Sequence, residues 1–483
     1  MKKNSNTPNI LWICTDQQRF DTLGCYGNTF VSTPVLDSLA SEGALFENAF
    51  SQSPVCSPSR GAFLTGRYPV TNRLRQNGAD IPDNEILVTK LFQEHGYRCG
   101  LSGKLHLRAC NPKAGTVEME SRIDDGYEVF HWSHDPSNAW GLHNEYYRWL
   151  KEEHNTTYSV ETAKESKWVQ YGMPIEQSQA YWCAEMAIDF MKDNQRTPWL
   201  FSVNIFDPHH AFDPPKELLD RYLDRIDEIP LPSYFPGEEK TKLIWLRQDH
   251  SGAYNHHAGH PFDQMTDLDH RMQKAAYWAM CDLIDLQVGR MIEALKETGQ
   301  YENTIIVFHS DHGELLGDHG AYLKGPFFYD CSIKVPLIIR YPALVPAKRY
   351  PQLVELMDLP ETLLELCGFE IPERMQGVSL TPLFGDDSAV LHKNVYCEYL
   401  NAMPWHTEPK AFASMVRTDT WKLVVSHSGD NAGELYNLET DPEESYNLFE
   451  DTSYNDVKLK LYAELLERWA RMTDPEPSRK ADW

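Results

Sequence analysis

The sequence predicts an α/β fold: a large mixed, mostly parallel sheet sandwiched by helices, followed by a small C-terminal antiparallel sheet plus helix. Three observations carry that expectation. Short apolar runs alternate with polar clusters and helical segments over most of the chain. Groups of Asp, His and Lys fall just past several of those runs, where open α/β sheets bind their ligands. After residue 385 the pattern changes to short strands joined by polar turns.

In chain order, residues 9–15 read as a strand ending at Asp16. A helix is expected over 34–40, with Thr33 as cap, Pro34 at its first position and Gly43 as stop. Residues 86–94 read as a helix stopped by Gly96, and 97–101 as a strand running into Gly103-Lys104-Leu105-His106. A long helix over 176–192 precedes a strand over 199–205, which ends at Asp207-Pro208-His209-His210. Another long helix, 272–298, stops at Gly299 and is followed by a strand over 304–309 ending at Asp311-His312-Gly313. A strand over 335–340 and a helix over 353–367 complete this part. Residues 395–399, 413–417 and 421–425 read as short strands, and 456–471 as a closing helix. Two stretches, 110–171 and 220–269, are rich in His, Trp, Tyr, Asp and Pro and read as loop insertions of the kind that carry specificity. The organisation implied is a first domain over 1–385 and a C-terminal subdomain over 386–483.

Composition narrows the function. A chain of 483 residues exceeds one simple core. Its formal net charge of -26 disfavours nucleic acid and anionic membranes as partners. The same charge repels an anionic substrate at long range, so a site for one must carry its own cations. No apolar run is long enough to span a membrane, and residues 10–14 are too short for a signal-peptide core. As written, the chain reads as cytoplasmic, or as periplasmic or secreted if a leader has been removed. Its 10 cysteines include no CxxC pair, so they read as reduced, mostly buried thiols.

The segment Ser53-Pro54-Val55-Cys56-Ser57-Pro58-Ser59-Arg60-Gly61 continues to Leu64-Thr65-Gly66-Arg67. Ser57 suits a helix cap, Pro58 the first position and Gly66 the stop, which places Cys56 just before a helix N-terminus. That end of a helix favours anions through free amides and the macrodipole. On local geometry alone, a capped helix with a buried thiol fits equally well. Asp16 alone reads as a turn cap, but paired with Asp311 and His312 past another strand it reads as a metal ligand. Lys104 and His106, two apart on an extended segment, would face the same side.

Cys56-Ser57-Pro58-Ser59-Arg60 followed by Leu64-Thr65-Gly66-Arg67 resembles the signature of the type I, formylglycine-dependent sulfatases of the alkaline-phosphatase-like superfamily. The resemblance implies a sulfuric ester hydrolase whose domain 1–385 is catalytic. In that family the motif cysteine is oxidised after translation to formylglycine, whose hydrate is the nucleophile. It implies a maturation partner, either a formylglycine-generating enzyme or an anaerobic sulfatase-maturating enzyme. It implies a metal held by Asp16, Gln17, Asp311, His312 and the residue made from Cys56. Calcium suits the oxygen donors, with magnesium or manganese as alternatives, since many relatives carry Asp where Gln17 stands. Arg60 would favour the ionised hydrate. Lys104, His106 and Lys324 would contact the sulfate, and His209 would protonate the leaving oxygen, with His210 as the competing choice. The substrate expected is a small sulfated molecule, by default a sugar, as for many bacterial relatives. The nearest rival is a phosphonate monoester or phosphodiester hydrolase of the same superfamily. Those relatives carry Gly-Pro-Ala-Arg after the cysteine and lack the Lys-x-His pair. A second metal site at His256-His257-x-x-His260 competes with an ordinary packed loop.

Overall fold

A computed structural model describes residues 7–112, 117–386, 388–429, 432–477 and 481. The polar lead into the first strand falls outside them up to residue 6. In chain order the strands are β1 Asn9–Thr15, β2 Ala44–Phe50, β3 Arg98–Gly103, β4 Val129–Trp132, β5 Glu161–Thr162, β6 Gln170–Tyr171, β7 Trp199–Ile205 and β8 Thr304–Ser310. They continue with β9 Lys334–Val335, β10 Leu337–Arg340, β11 Lys348–Glu355, β12 Val395–Leu400, β13 Phe412–Arg417, β14 Trp421–Ser426 and β15 Gly433–Asn437.

The main sheet has nine strands in the order β11-β2-β10-β8-β1-β7-β3-β4, with β9 beside β2. Strands β8, β1, β7, β3 and β4 run parallel to one another, whereas β10 is antiparallel to both β8 and β2. Period-two alternation buries both faces. Leu11, Ile13, Phe201, Val203 and Phe308 pack against the helices Gln179–Asp193 and Asp267–Glu297. Ile10, Trp12, Ile305 and Val307 pack on the other side with Phe63, Phe92 and Leu363, from three shorter helices. Both faces are apolar, which is why these strands read as continuous hydrophobic runs.

The second sheet is antiparallel, in the order β12-β13-β14-β15. The helix Asn455–Arg471 lays Leu461 and Leu465 on its Val416, Leu423 and Leu435. Val395, Cys397, Met415 and Val424 on the opposite face join the main core. The mostly parallel sheet between helices and the small C-terminal sheet are therefore as the sequence pattern implies. Among the described residues no helix is long and apolar enough to cross a membrane.

Several local expectations change. The helix expected over 353–367 begins only at Leu359. Residues Lys348–Glu355 form β11, parallel to β2, because an edge of the sheet is available to them. Asp358 then closes a capping box with Glu355, and Pro360 occupies the first turn of the helix. The strand over 335–340 is split at Pro336, which has no N–H for a ladder. Strands β2 and β4 had no counterpart in the sequence reading. The insertions are not bare loops: 110–171 carries β4 and the helix Glu145–Glu153, and 220–269 carries the helix Ile244–Asp249.

Candidate active site

Four adjacent parallel strands end at one place. Asp16 follows β1, Lys104 follows β3, His209 lies four residues past β7, and Asp311 follows β8. The fifth contributor is the helix Cys56–Thr65, which follows β2. Cys56 is the first residue of that helix rather than the residue before it, and Val55 takes the N-cap position. Ser57 does not cap. Its amide donates to Asn77 Oδ1 at 3.0 Å, and Gly66 ends the helix with a left-handed φ of 65°.

At the bottom of the site Arg60 is fully buried and joins both metal-type carboxylates. Its Nε donates to Asp311 Oδ2 at 2.9 Å, its Nη2 to Asp16 Oδ2 at 3.3 Å, and its Nη1 to the Lys104 carbonyl at 2.8 Å. Lys104 Nζ lies 2.6 Å from Asp16 Oδ2. Lys324 Nζ lies 2.8 Å from Cys56 Sγ, and His312 Nε2 lies 3.1 Å from the same sulfur. Burial alone would push the Asp16 carboxyl up, but Lys104, His209, Lys324 and Arg60 together hold it well below the usual carboxylate range. Burial and Asp16 raise the Cys56 thiol, yet Lys104, Lys324 and His312 outweigh them, and the net direction is down. Three permanent cations here face two carboxylates, so an anion completes the charge balance. These are the local cations that a chain of net charge -26 needs for an anionic substrate.

The donor set fits a divalent cation. Ligand atoms of Asp16, Cys56, Asp311 and His312 all lie within 4.8 Å of one another, and all four residues are buried. His312 Nδ1 lies 2.9 Å from the Gly313 carbonyl, which fixes the proton there and leaves the Nε2 lone pair facing the site. Gln17 donates its amide nitrogen to Glu314, while its Oε1 is buried with no partner in the protein. A buried amide oxygen without a donor is what a hard cation ligand looks like in the absence of the cation.

Above the cluster lies a cavity of about 600 Å³, lined by Cys56, Lys104, His106, His209 and Lys324 among others. The residues that the sequence singled out for catalysis and for the first metal site are thus gathered here, Arg60 from beneath. The route to His106 differs from the extended segment expected. His106 has a φ of 62°, and Glu120 accepts from the amides of His106, Leu107 and Arg108. Glu120 bends the backbone and also accepts from Trp132 Nε1 at 3.1 Å. Burial, then Lys104 and His134, drive the His106 pKa well below its ordinary value. His209 directs Nδ1 at the His210 carbonyl, 2.7 Å away, which leaves Nε2 for the cavity; burial and then Lys324 hold its pKa down.

Glu120, Tyr254 and Trp405 belong to the site's walls or supports and were missed in the sequence, where His134, also in the wall, stood only among the histidines of the first insertion. Glu120 and Tyr254 lie in the two insertions, whose richness in His, Trp and Tyr pointed only to specificity in general, and Trp405, between β12 and β13, carried no signal in the sequence. His256, His257 and His260 form no metal-ligand group among the described residues; His257 stacks on Trp405 at 4.7 Å.

Adjacent strand ends gather carboxylates, imidazoles and buried lysines around one helix N-terminus, an arrangement suited to a metal-assisted reaction on an anionic ester. The chain matches the sulfatase family over residues 8–369, and the N-sulphoglucosamine sulphohydrolase C-terminal family over 317–471. It is 29% identical over 464 residues to an arylsulfatase of Clostridium perfringens, covering 93% of this chain and 92% of that one. It is 24% identical over 533 residues to the N-acetylglucosamine-6-O-sulfatase of Bacteroides thetaiotaomicron, covering 99% and 89%. Among solved structures, the phosphonate monoester hydrolase of Silicibacter pomeroyi superposes with a TM-score of 0.84 at 23% identity, covering 98% and 97%. The chain belongs to the sulfatase family, and the activity of that family is sulfuric ester hydrolysis.

Proposed function

We propose that this chain hydrolyses a sulfate monoester on a sugar, using a formylglycine made from Cys56 and one divalent metal, Ca2+ in the first instance. The observation that carries the reading is that Lys324 reaches Cys56 and Lys104 reaches Asp16 in one cavity, where Arg60 joins Asp16 to Asp311. The sugar is supported by the N-acetylglucosamine-6-O-sulfatase relative and by aromatic cavity walls that include Tyr158 and Trp405. Residues 1–385 form the catalytic domain in this reading. The subdomain 386–483 supplies Met403, Pro404 and Trp405 to the cavity lip.

The roles of the residues follow from their positions. Asp16, Gln17, Asp311 and His312 would hold the cation, together with an oxygen of the residue made from Cys56. When bound, the cation supplies a Lewis acid that favours an ionised nucleophile and polarises a sulfate oxygen. Oxidation of Cys56 to formylglycine supplies that nucleophile as the hydrated aldehyde. Arg60 fixes both carboxylates in one geometry. Lys104 and Lys324 offset charge on the sulfate oxygens. His106, kept neutral by burial, is available at Nδ1, which has no partner in the protein, to take a proton from the second hydroxyl. His209 delivers a proton from Nε2 to the leaving oxygen. Bound sulfate opposes the effect of Lys324 and so raises the affinity of His209 for that proton.

Metal-loaded protein produced with a maturation enzyme is to be assayed on a sulfate monoester and on a phosphonate monoester of the same alcohol. Preference for the sulfate supports the reading. Preference for the phosphonate transfers it to the rival activity, which the Silicibacter pomeroyi fold neighbour keeps in view. A panel of defined sulfated saccharides, set against choline sulfate and aryl sulfates, then identifies the alcohol.

A further inference from the structure

Tyr254, Asn255 and His256 have φ values of 55°, 52° and 74° in succession. Left-handed backbone is uncommon outside glycine; Asn and His adopt it more readily than bulky residues such as Tyr, and then as single residues and not in a run. Three such residues in a row mark a segment held against its preference, which points to a functional constraint. The holder is Asp249. Its Oδ2 accepts from the Tyr254 amide at 3.1 Å and its Oδ1 from the Asn255 amide at 2.8 Å. His406 Nε2, from the loop between β12 and β13, lies 2.9 Å from the same Oδ1, and both His406 and Asp249 are fully buried. Two loops from distant parts of the chain are thus tied together behind Tyr254.

That arrangement sets the Tyr254 ring into the wall of the cavity that also holds Cys56, His209 and Lys324. The ring meets His210 at 5.9 Å, tilted by 63°. The residue is 7% exposed, and its hydroxyl is buried without a hydrogen-bond partner in the protein. His210 Nδ1 beside it also lacks a partner. Burial, followed by Glu314 and Cys56, pushes the phenol well above its ordinary range, so the hydroxyl keeps its proton and is a donor. A buried donor without an acceptor destabilises a fold unless a ligand supplies the acceptor.

We propose that Tyr254 is a further substrate-contact residue, which donates its phenolic hydrogen bond to an oxygen of the bound sulfate ester. The proposal rests on the sulfate-ester reading of the site. It adds a neutral donor to the charged ones of Lys104 and Lys324, and it makes the Asp249–His406 pair a positioning element of the same site.

The test is Tyr254→Phe in metal-loaded, matured protein, which removes one oxygen and leaves the ring. Two quantities are read: kcat/KM on a sulfate ester, and the thermal shift produced by inorganic sulfate. The expected result is a loss of about 10- to 100-fold in kcat/KM. The sulfate-induced shift shrinks with it, while the unliganded melting temperature stays level or rises, because the hydroxyl had no partner to lose. Unchanged kcat/KM with an unchanged sulfate shift overturns the proposal, and so does a lowered unliganded melting temperature, which would make the hydroxyl structural. If the parent binds sulfate but turns over no sulfate ester, the functional reading fails, and the sulfate shift of the variant still decides the role of Tyr254. A parent that neither binds sulfate nor hydrolyses a sulfate ester overturns both.

Discussion

Lys324 holds its ammonium 2.8 Å from the sulfur of Cys56, and the two residues come from segments 268 positions apart. A buried lysine aimed at a helix N-terminus is expensive unless an anion joins it there. Lys324→Ala is expected to lower kcat/KM on a sulfate ester by about 10²- to 10³-fold, the usual effect of removing one preorganised charge-stabilising group. Steady-state kinetics on matured protein checks this; an unchanged kcat/KM would remove Lys324 from the sulfate site.

His209 should matter in proportion to the leaving group. Its Nδ1 is committed to the His210 carbonyl, so only Nε2 serves the substrate. His209→Ala is expected to cost about 10²- to 10⁴-fold on a sugar sulfate and far less on 4-nitrophenyl sulfate, whose phenolate departs without a proton. Burial and Lys324 lower the pKa of His209, so the free enzyme holds the required proton only on the acid side of neutrality. In the wild type kcat/KM on the sugar sulfate should therefore fall as pH rises through the acid range, below the ordinary imidazole range, and the variant should lack that limb. Equal losses on both substrates would assign the acid elsewhere.

In the proposed metal site Gln17 would offer the cation a neutral oxygen, its buried and partnerless Oε1. Chelation of the cation is expected to abolish turnover, and added Ca2+ or Mg2+ to restore it. Gln17→Ala should weaken cation affinity by about 10- to 100-fold, read by titration calorimetry on the metal-free protein. An unchanged affinity would mean that the partnerless Oε1 has another role.

Away from the site, His392 Nε2 lies 2.8 Å from Asp358 Oδ2 in a pocket that also holds Glu355 and Arg468. Burial opposes its charge, but Asp358 prevails, and the pKa is raised to about 9. Below an unfolded pKa of about 6.5 both states hold the proton, and the pair contributes fully. Between there and about 9 the folded state keeps a proton that the unfolded chain has lost, so this stabilisation declines as pH rises, by about 3 kcal/mol in all. Urea unfolding at several pH values should show the wild type converging on His392→Gln as pH approaches 9. A difference independent of pH would contradict this.

The sequence made the centre of the site legible because the placement of its residues is local. Asp16, Lys104, His209 and Asp311 each stand just past an apolar run, and the end of a run is the end of a strand. Cys56 and Arg60 share one helical turn. The support residues were not legible, because their partners are distant in sequence. Glu120 acts on the backbone of residues 106–108 from within an insertion. Tyr254 reaches the cavity only through Asp249 and His406. Strand β2 escaped notice because Glu47 and Asn48 interrupt its apolar run, and its pairing with β10 and β11 is tertiary. The helix expected over 353–367 ran too early because Leu353 and Val354 belong to β11 yet extend the apolar pattern of the helix that follows.

In the proposed reaction Cys56 becomes the nucleophile. The most direct measurement is turnover of 4-nitrophenyl sulfate by Cys56→Ala beside the matured wild type, with the mass of the wild-type Cys56 peptide taken from the same preparation. The aldehyde mass is expected in the wild type, with a loss of about a thousandfold or more in the variant. Wild-type turnover by Cys56→Ala would contradict that role.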